Sequence, residues 1–414
     1  MRMCPARFAS DVATARARPV PSPAMQRRAE SVDIVMAGTF AAWRLGTLQA
    51  RALPLARELT SRGIRSAIVT VPWDMPGEAG VVDVIDGVSL TNTSATGVTS
   101  FPAAVLQQAR AIRALRPQAV HVFKPKGYGG LAGKLLSGST PLLVDSDDWE
   151  GDGGWNQAGN YSVLQRRLFD WQERNLLRDA VAVTAASQLL ACRAIALRAR
   201  TPHQVTWVPN GLADRWAKQL FEARKPMPVA VGLPPTIVLY SRFAEFAHDW
   251  LPRYLASLSA FLSADTSVVV RIIGGEPARD IGKANLVLDQ MGYVAWNRIP
   301  ELLGSSDIAI YPYADSLIAR SKNSVKLLEL MAAGCAVVAS EVGDVPAVAG
   351  GCAVLLHRSD PEEFAESTVR LLRDPDRISR LSEAARARVL QQFSVQASAD
   401  RLVTAYRQAG VTAS

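Results

Sequence analysis

With 414 residues the chain is too long for one ordinary hydrophobic core, so two domains are expected. A composition of 49% hydrophobic and 20% charged residues excludes a disordered or fibrous protein, and four cysteines without a CxxC pair exclude a disulfide scaffold or a zinc module. The net charge of +8 lies in the first half, where residues 1–30 and 31–210 each carry +4; the neutral remainder is no polyanion binder, and nucleic acid is not an expected partner.

Residues 1–30 hold Arg, Ala and Pro with no apolar core, and read as a disordered basic tail or an upstream extension with Met25 as an alternative start. No later apolar run approaches the length of a membrane span of about 18 residues. Cys335 and Cys352 lie in apolar runs, which points to buried thiols, a reducing compartment and a cytoplasmic location. The basic first half suits peripheral contact with an anionic membrane surface, and equally a solvated face.

SVDIVMAG (31–38) is a strand ending in Gly38, TLQARALPLARELTSRG is a helix and SAIVTV (66–71) the next strand, which is the order of a doubly wound sheet. Gly38 and Gly46 do not form a GxGxxG motif. After a loop-rich passage with a short strand near Val88–Leu90 come a helix over 101–118 and the strand AVHVF (119–123). Lys124 and Lys126 follow at that strand's C-terminal end, where α/β sheets bind ligands. The strand PLLV then runs into Asp145, Asp147, Asp148, Glu150 and Asp152. Five acids in eight residues read as a metal loop, a polar acceptor site, or turn and helix-capping chemistry. His121, His203, His248 and His357 form no HExxH-like cluster, so no metal site is expected. A helix (VLQRRLFDWQERNLLRDA), a strand (VAVTAASQ) and VTWVPNGLADRW (205–216) complete a first domain at 31–212, with the proline-rich linker 213–235 behind it.

TIVLYSRF (236–243), containing Arg242, opens a second domain over 236–392, and SVVVRIIGGEP carries Gly274 at a strand end. The most informative stretch is DSLIARSKNSVKLLELMAAGCAVVASEVG (315–343). On a helix turning about 100° per residue, Lys322, Lys326, Glu329 and Ala333 share a narrow stripe while nearly every other position is apolar. Such a helix is buried except for one charged stripe facing a cleft. Arg320, Ser321, Lys322, Asn323 and Ser324 gather at its start, where unpaired amides and partial positive charge suit a phosphate. The layout fits a diphosphate at the helix start and a hydroxylated group at Glu329. A solvated Lys–Glu stripe is the competing reading, and Lys326 has a pure salt-bridge role with Glu329 as its alternative.

The run SVKLLELMAAGCAVVASEVGDVPAVAGGCAVLL resembles the donor-binding segment of retaining GT-B glycosyltransferases of family 4, whose pattern is Glu-x7-Glu followed by MA-x-G-x-P-V-V-A-S. The resemblance implies an α/β fold of two Rossmann-like domains with parallel sheets facing across a cleft, and a C-terminal helix (393–414) returning to the first. It implies a glycosyltransferase whose partners are a nucleotide-diphosphate sugar and an acceptor, with no cofactor. Glu329 matches the second Glu, which holds the donor ribose; the first falls at Ser321, so that carboxylate is missing. Arg242 matches an arginine that neutralises the leaving diphosphate, and the lysine expected after it is absent, leaving Lys322 or Arg320 to supply the charge. Gly274 matches the strand-end glycine, and Gly38 a loop facing donor phosphates or acceptor. Asp147, with Asp148 second, matches the strand-end residue approaching the transferred sugar, and Lys124 joins them on the acceptor side. A degenerate protein that binds nucleotide without transfer is the alternative, because two signature charges are absent.

Overall fold

The computed structural model describes residues 32–41, 48–94, 100–225, 233–241, 249–275 and 285–411. The basic tail and Arg242 therefore lie outside the described residues. Two sheets carry the fold. The first contains β1 (Ile34–Gly38), β2 (Ser66–Thr70), β3 (Val82–Ile85), β4 (Val88–Asn92), β5 (Ala119–Phe123), β6 (Leu142–Ser146), β7 (Ala182–Ala185) and β8 (Val205–Trp207), in the order β3-β4-β2-β1-β5-β6-β7-β8. The second contains β9 (Thr236–Tyr240), β10 (Val268–Ile273), β11 (Leu286–Gly292), β12 (Ile308–Tyr311), β13 (Ala336–Ser340) and β14 (Ala353–Leu356), in the order β11-β10-β9-β12-β13-β14. Every pairing is parallel except β3 with β4. The central strands β1, β2, β5, β6, β9 and β13 are buried along their length, as strands covered by helices on both faces must be.

In each sheet the strand order reverses beside the first strand, between β1 and β5 and between β9 and β12. Ligands of open α/β sheets bind at such switch points, outside the carboxyl ends of the strands. The domains meet through Lys322 with Trp155, Asn323 with Asn210 and Asp344 with Gln188.

Three elements differ from the reading of the sequence. The helix expected through Lys322 is two helices, Leu317–Ser321 and Val325–Ala332, broken at Lys322–Ser324. Lys322 is thus the C-terminal cap of the first helix and lies on no common stripe with Glu329, while Ala333 is fully buried. Part of the linker is ordered: Asp214–Glu222 is an amphipathic helix whose Ala217 and Leu220 enter the second domain's core, so apolar burial overrides the linker reading. Residues 226–232 lie outside the described residues. The edge strand β3 was not expected; Asp86 and Gly87, with φ of 49° and 82°, form the tight turn joining it to β4. The last helix, Val395–Gln408, packs Ala399, Leu402 and Tyr406 into the core of the first domain, the return that the resemblance implies.

Candidate active site

The second domain's lip of the cleft is built on Val325–Ala332. Leu327, Leu328, Leu330, Met331 and Ala332 are buried, which pins the helix into the core and fixes where Glu329 lies. Glu329 is 1% exposed. The indole Nε1–H of Trp216 donates to its Oε1 at 2.9 Å, and its Oε2 is buried with no hydrogen bond among the described residues. Burial pushes this carboxyl up to about 7, against the pull of Trp216, the Lys326 charge and Tyr240. Lys326 Nζ lies 4.6 Å from the centre of the Tyr240 ring. Lys322 Nζ lies 5.6 Å from the Tyr313 ring and 5.4 Å from that of Trp155, which belongs to the first domain. Both ammonium groups are thus held over aromatic faces beside the start of the helix. Gly274 has φ +89°, and a Cβ there would meet the Ser241 carbonyl at 2.2 Å, so only glycine lets the β10 end pass beside the β9 end.

The remaining candidates of this segment do other things. Arg320 is exposed and paired with Asp315 at 2.5 Å, away from the helix start. Ser321 is buried, with its hydroxyl donated to the Ile318 carbonyl at 2.9 Å. Asn323 joins the domains: its Oδ1 accepts from the Asn210 amide at 2.9 Å, its carbonyl accepts from Asn210 Nδ2 at 2.6 Å, and its Nδ2 donates to Asp344 at 3.3 Å. Asp344 in turn accepts from the Gln188 amide at 2.9 Å, at the first turn of the first domain's helix Gln188–Leu197. Ser324 caps Val325–Ala332 by position, without a side-chain capping bond.

The first domain's lip is a buried ion network. Lys124, held at φ +61°, places Nζ 2.6 Å from Asp148, 2.7 Å from Glu150 and 3.4 Å from Asp147. Lys126 pairs with the other oxygen of Glu150. Burial alone would raise the Glu150 carboxyl, but the two lysines bring it down to about 2. Asp147 goes the other way, to about 7: burial raises it, Lys124 opposes, and Asp148, Asp145 and Glu150 add repulsion. The carboxylates of Asp147, Asp148 and Glu150 offer oxygens within 4.8 Å of one another, the spacing of a metal site, and the Lys124 ammonium reaches all three. Gly38 is buried at the β1 end, where its carbonyl accepts from Gln108 Nε2 at 2.7 Å and a Cβ would strike Leu48 at 2.8 Å.

Asp145 leaves the acidic loop altogether. It points into the first domain and takes a bidentate bond from Arg51 at 2.7 and 2.8 Å. Arg51 also donates to Asn210 Oδ1 at 3.0 Å, so one buried network runs from the β6 end to the domain junction at Asn323. His121, buried between Thr184 and Tyr406, is pushed down to about 4 by burial and stays neutral. Arg51, Trp216 and Asp344 escaped the sequence reading. They sit in ordinary helical or loop runs, and only the junction brings them to the cleft.

Residues 46–211 match the family model described as glycosyl transferase 4-like domain, and residues 234–374 match that described as glycosyl transferases group 1. The chain belongs to the GT-B glycosyltransferases of family 4. The α-maltose-1-phosphate synthase of Mycolicibacterium smegmatis is 26% identical over 310 residues, covering 68% of this chain and 77% of that protein. The MMP α-(1→4)-mannosyltransferase of Mycolicibacterium hassiacum is 32% identical over 133 residues, only 31% of either chain. Among solved structures, the sucrose-phosphate synthase of Thermosynechococcus elongatus aligns with a TM-score of 0.66 at 16% identity, covering 91% of this chain and 98% of that one. Anabaena HepE in complex with UDP aligns with a TM-score of 0.61 at 14% identity, covering 90% and 99%. These glycosyltransferases share the two-domain α/β architecture described above.

Proposed function

We propose that this glycosyltransferase moves a sugar from a nucleotide-diphosphate sugar to an acceptor hydroxyl, with retained anomeric configuration and without a metal. The observation that carries the reading is Glu329: a carboxyl kept in the core, bonded by Trp216 on one oxygen and with no hydrogen bond to Oε2 among the described residues, within a turn of Lys326. Burying such a group costs several kcal/mol unless something pairs with it, and ribose hydroxyls donate what Oε2 lacks. HepE was solved with UDP and with UDP-glucose, which supports a nucleotide-sugar donor on this fold.

In this reading Lys322, Lys326 and the amides at the start of Val325–Ala332 bind the diphosphate, and Arg242 joins them. As the C1–O bond to phosphate breaks, charge gathers on the leaving oxygen, and these cations stabilise it. The acceptor oxygen bonds to C1, and its proton passes to the leaving phosphate. Asp147, high-titrating at the opposite lip, contacts the sugar, with Asp148 and Lys124 on the acceptor side. Lys124 supplies the positive charge that a metal would bring to the acidic loop.

A thermal-shift panel of UDP, GDP, ADP, dTDP and their common sugars tests the donor site. One nucleotide class and its sugars should raise Tm, and no shift with any of them would remove the reading. Lys322→Ala should lower kcat about ten- to a hundredfold with a smaller change in donor affinity, because the charge it meets develops in the transition state. An equal loss in both would make Lys322 a ground-state ligand only.

A further inference from the structure

The helix Val163–Asp179 presents a surface that the transfer reaction does not use. Its buried side, including Phe169, Leu176 and Leu177, packs into the first domain, and a Ser162–Gln165 capping box starts it. On the opposite side the apolar residues do not stop. Val163 is 63% exposed, Leu164 78% and Trp171 47%. At about 100° per residue, Val163, Leu164, Arg167, Trp171, Arg174 and Arg178 fall within roughly 100° of arc. That stripe holds only apolar and cationic side chains, with Asp170 and Asp179 at its margins, each already paired with an arginine. Arg167 makes no ion pair among the described residues.

The neighbouring helices continue the pattern. Phe101–Ala114 and Gly127–Leu136 pack beside it on the same face of the sheet, contain no acid, and expose Leu106 and Leu135. Together the three helices carry seven lysines and arginines against three acids, so the exposed Leu164 and Trp171 sit within a net positive surface. We infer that this face is a docking surface for an anionic lipid bilayer, with Leu164 and Trp171 entering the interfacial layer and the arginines meeting lipid phosphates. Interfacial helices combine these ingredients: an apolar ridge, an aromatic ring and long cationic side chains that reach the headgroups.

Position adds a consequence. The exposed N-terminal end of the helix follows Tyr161, whose ring lies 5.5 Å from Lys126 Nζ in the acidic network. Docking there brings the first domain's lip of the cleft to the bilayer, where a lipid-borne acceptor is presented. This consequence rests on the acceptor-side reading above; the docking itself does not.

Co-sedimentation of the full chain with vesicles tests the inference. The protein should bind vesicles of equimolar phosphatidylglycerol and phosphatidylcholine, bind pure phosphatidylcholine much less, and release as salt rises. Arg167→Glu should weaken binding about tenfold or more. The double variant Leu164→Ser, Trp171→Ser should weaken it at least about tenfold while leaving the nucleotide thermal shift unchanged, since both side chains are exposed. Absence of binding to the anionic vesicles overturns the inference. So does vesicle binding by both variants equal to the parent's, or a double variant that binds vesicles and heparin like the parent, which would mark a general polyanion patch. Vesicle binding without any nucleotide shift would leave the docking standing and remove the donor-site reading.

Discussion

The two lips of the cleft hold buried carboxyls among different numbers of cations. On the first domain, Lys124 meets Asp147, Asp148 and Glu150 and Lys126 meets Glu150, yet the Asp147 carboxyl is still raised to about 7 by burial and its acidic neighbours. On the second, Glu329 has Trp216 on one oxygen, the Lys326 charge beside it and a carboxyl raised to about 7, while Lys322 and Lys326 rest over aromatic rings. A cluster held by several ion pairs is fixed in geometry. A carboxyl with fewer protein donors has more capacity to accept from a ligand. We propose on this contrast that the second lip anchors the donor and the first shapes the pocket.

Breaking the first lip should have the largest effect. Lys124→Ala leaves three carboxylates together in a buried site, and removal of one partner from a buried ion network costs about 3–5 kcal/mol. Chemical denaturation measures it. The deficit should shrink as pH falls from 8 to 5, because the variant's folded state then takes up protons that the missing ammonium no longer replaces. A loss below about 1 kcal/mol would show that the network is solvated rather than structural.

The second lip should respond in ligand binding. Glu329→Gln should weaken nucleotide and nucleotide-sugar binding about ten- to a hundredfold, because charge-assisted bonds are worth roughly 1.5–3 kcal/mol. Stability should move in the other direction. A carboxyl whose folded value of about 7 exceeds its unfolded 4.5 binds more protons when folded, so the parent loses stability as pH rises between those values. The glutamine variant lacks that loss, and its advantage should grow to on the order of 3 kcal/mol above pH 7. Denaturation of both proteins across pH 4–8 reads it. Parallel pH profiles with unchanged nucleotide affinity would make Glu329 a partner of Trp216 alone.

The smallest effect should come from the junction between the lips. Asn323→Ala removes side-chain bonds to the Asn210 amide and to Asp344 but touches neither Glu329 nor the lysines. About 1–2 kcal/mol of stability should be lost, with nucleotide affinity within about threefold of the parent. A larger affinity change would return Asn323 to the donor site.

Much of this was legible in the chain. Buried parallel strands such as AVVAS and AVHVF announce themselves by unbroken apolar runs, because covering both faces of a sheet leaves no polar position. Asp360 followed by Pro361 starts its helix, its carboxylate accepting from the Glu362 and Glu363 amides, because capping is settled within four residues. Glu329 stood out because a lone carboxylate in an apolar helix has no cheap explanation. The break at Lys322–Ser324 was not legible. Helical periodicity continues across it, and only the bonds from Asn210 show why the chain extends there.

Local rules and hydrophobic spacing thus determined the two sheets, the buried helix and the carboxylate on it. Tertiary structure decided which charges meet. Asp145 and Asp147 are two residues apart at one strand end, yet one is locked to Arg51 in the interior and the other pairs with Lys124. Arg320 and Lys322 are equally close, yet one pairs with Asp315 in solvent and the other crosses to Trp155 of the facing domain. The end of β6 at Ser146 and a break between two helices turn near neighbours to different environments. A charge's partner is then set by residues far away in the chain, and no local pattern encodes those distances.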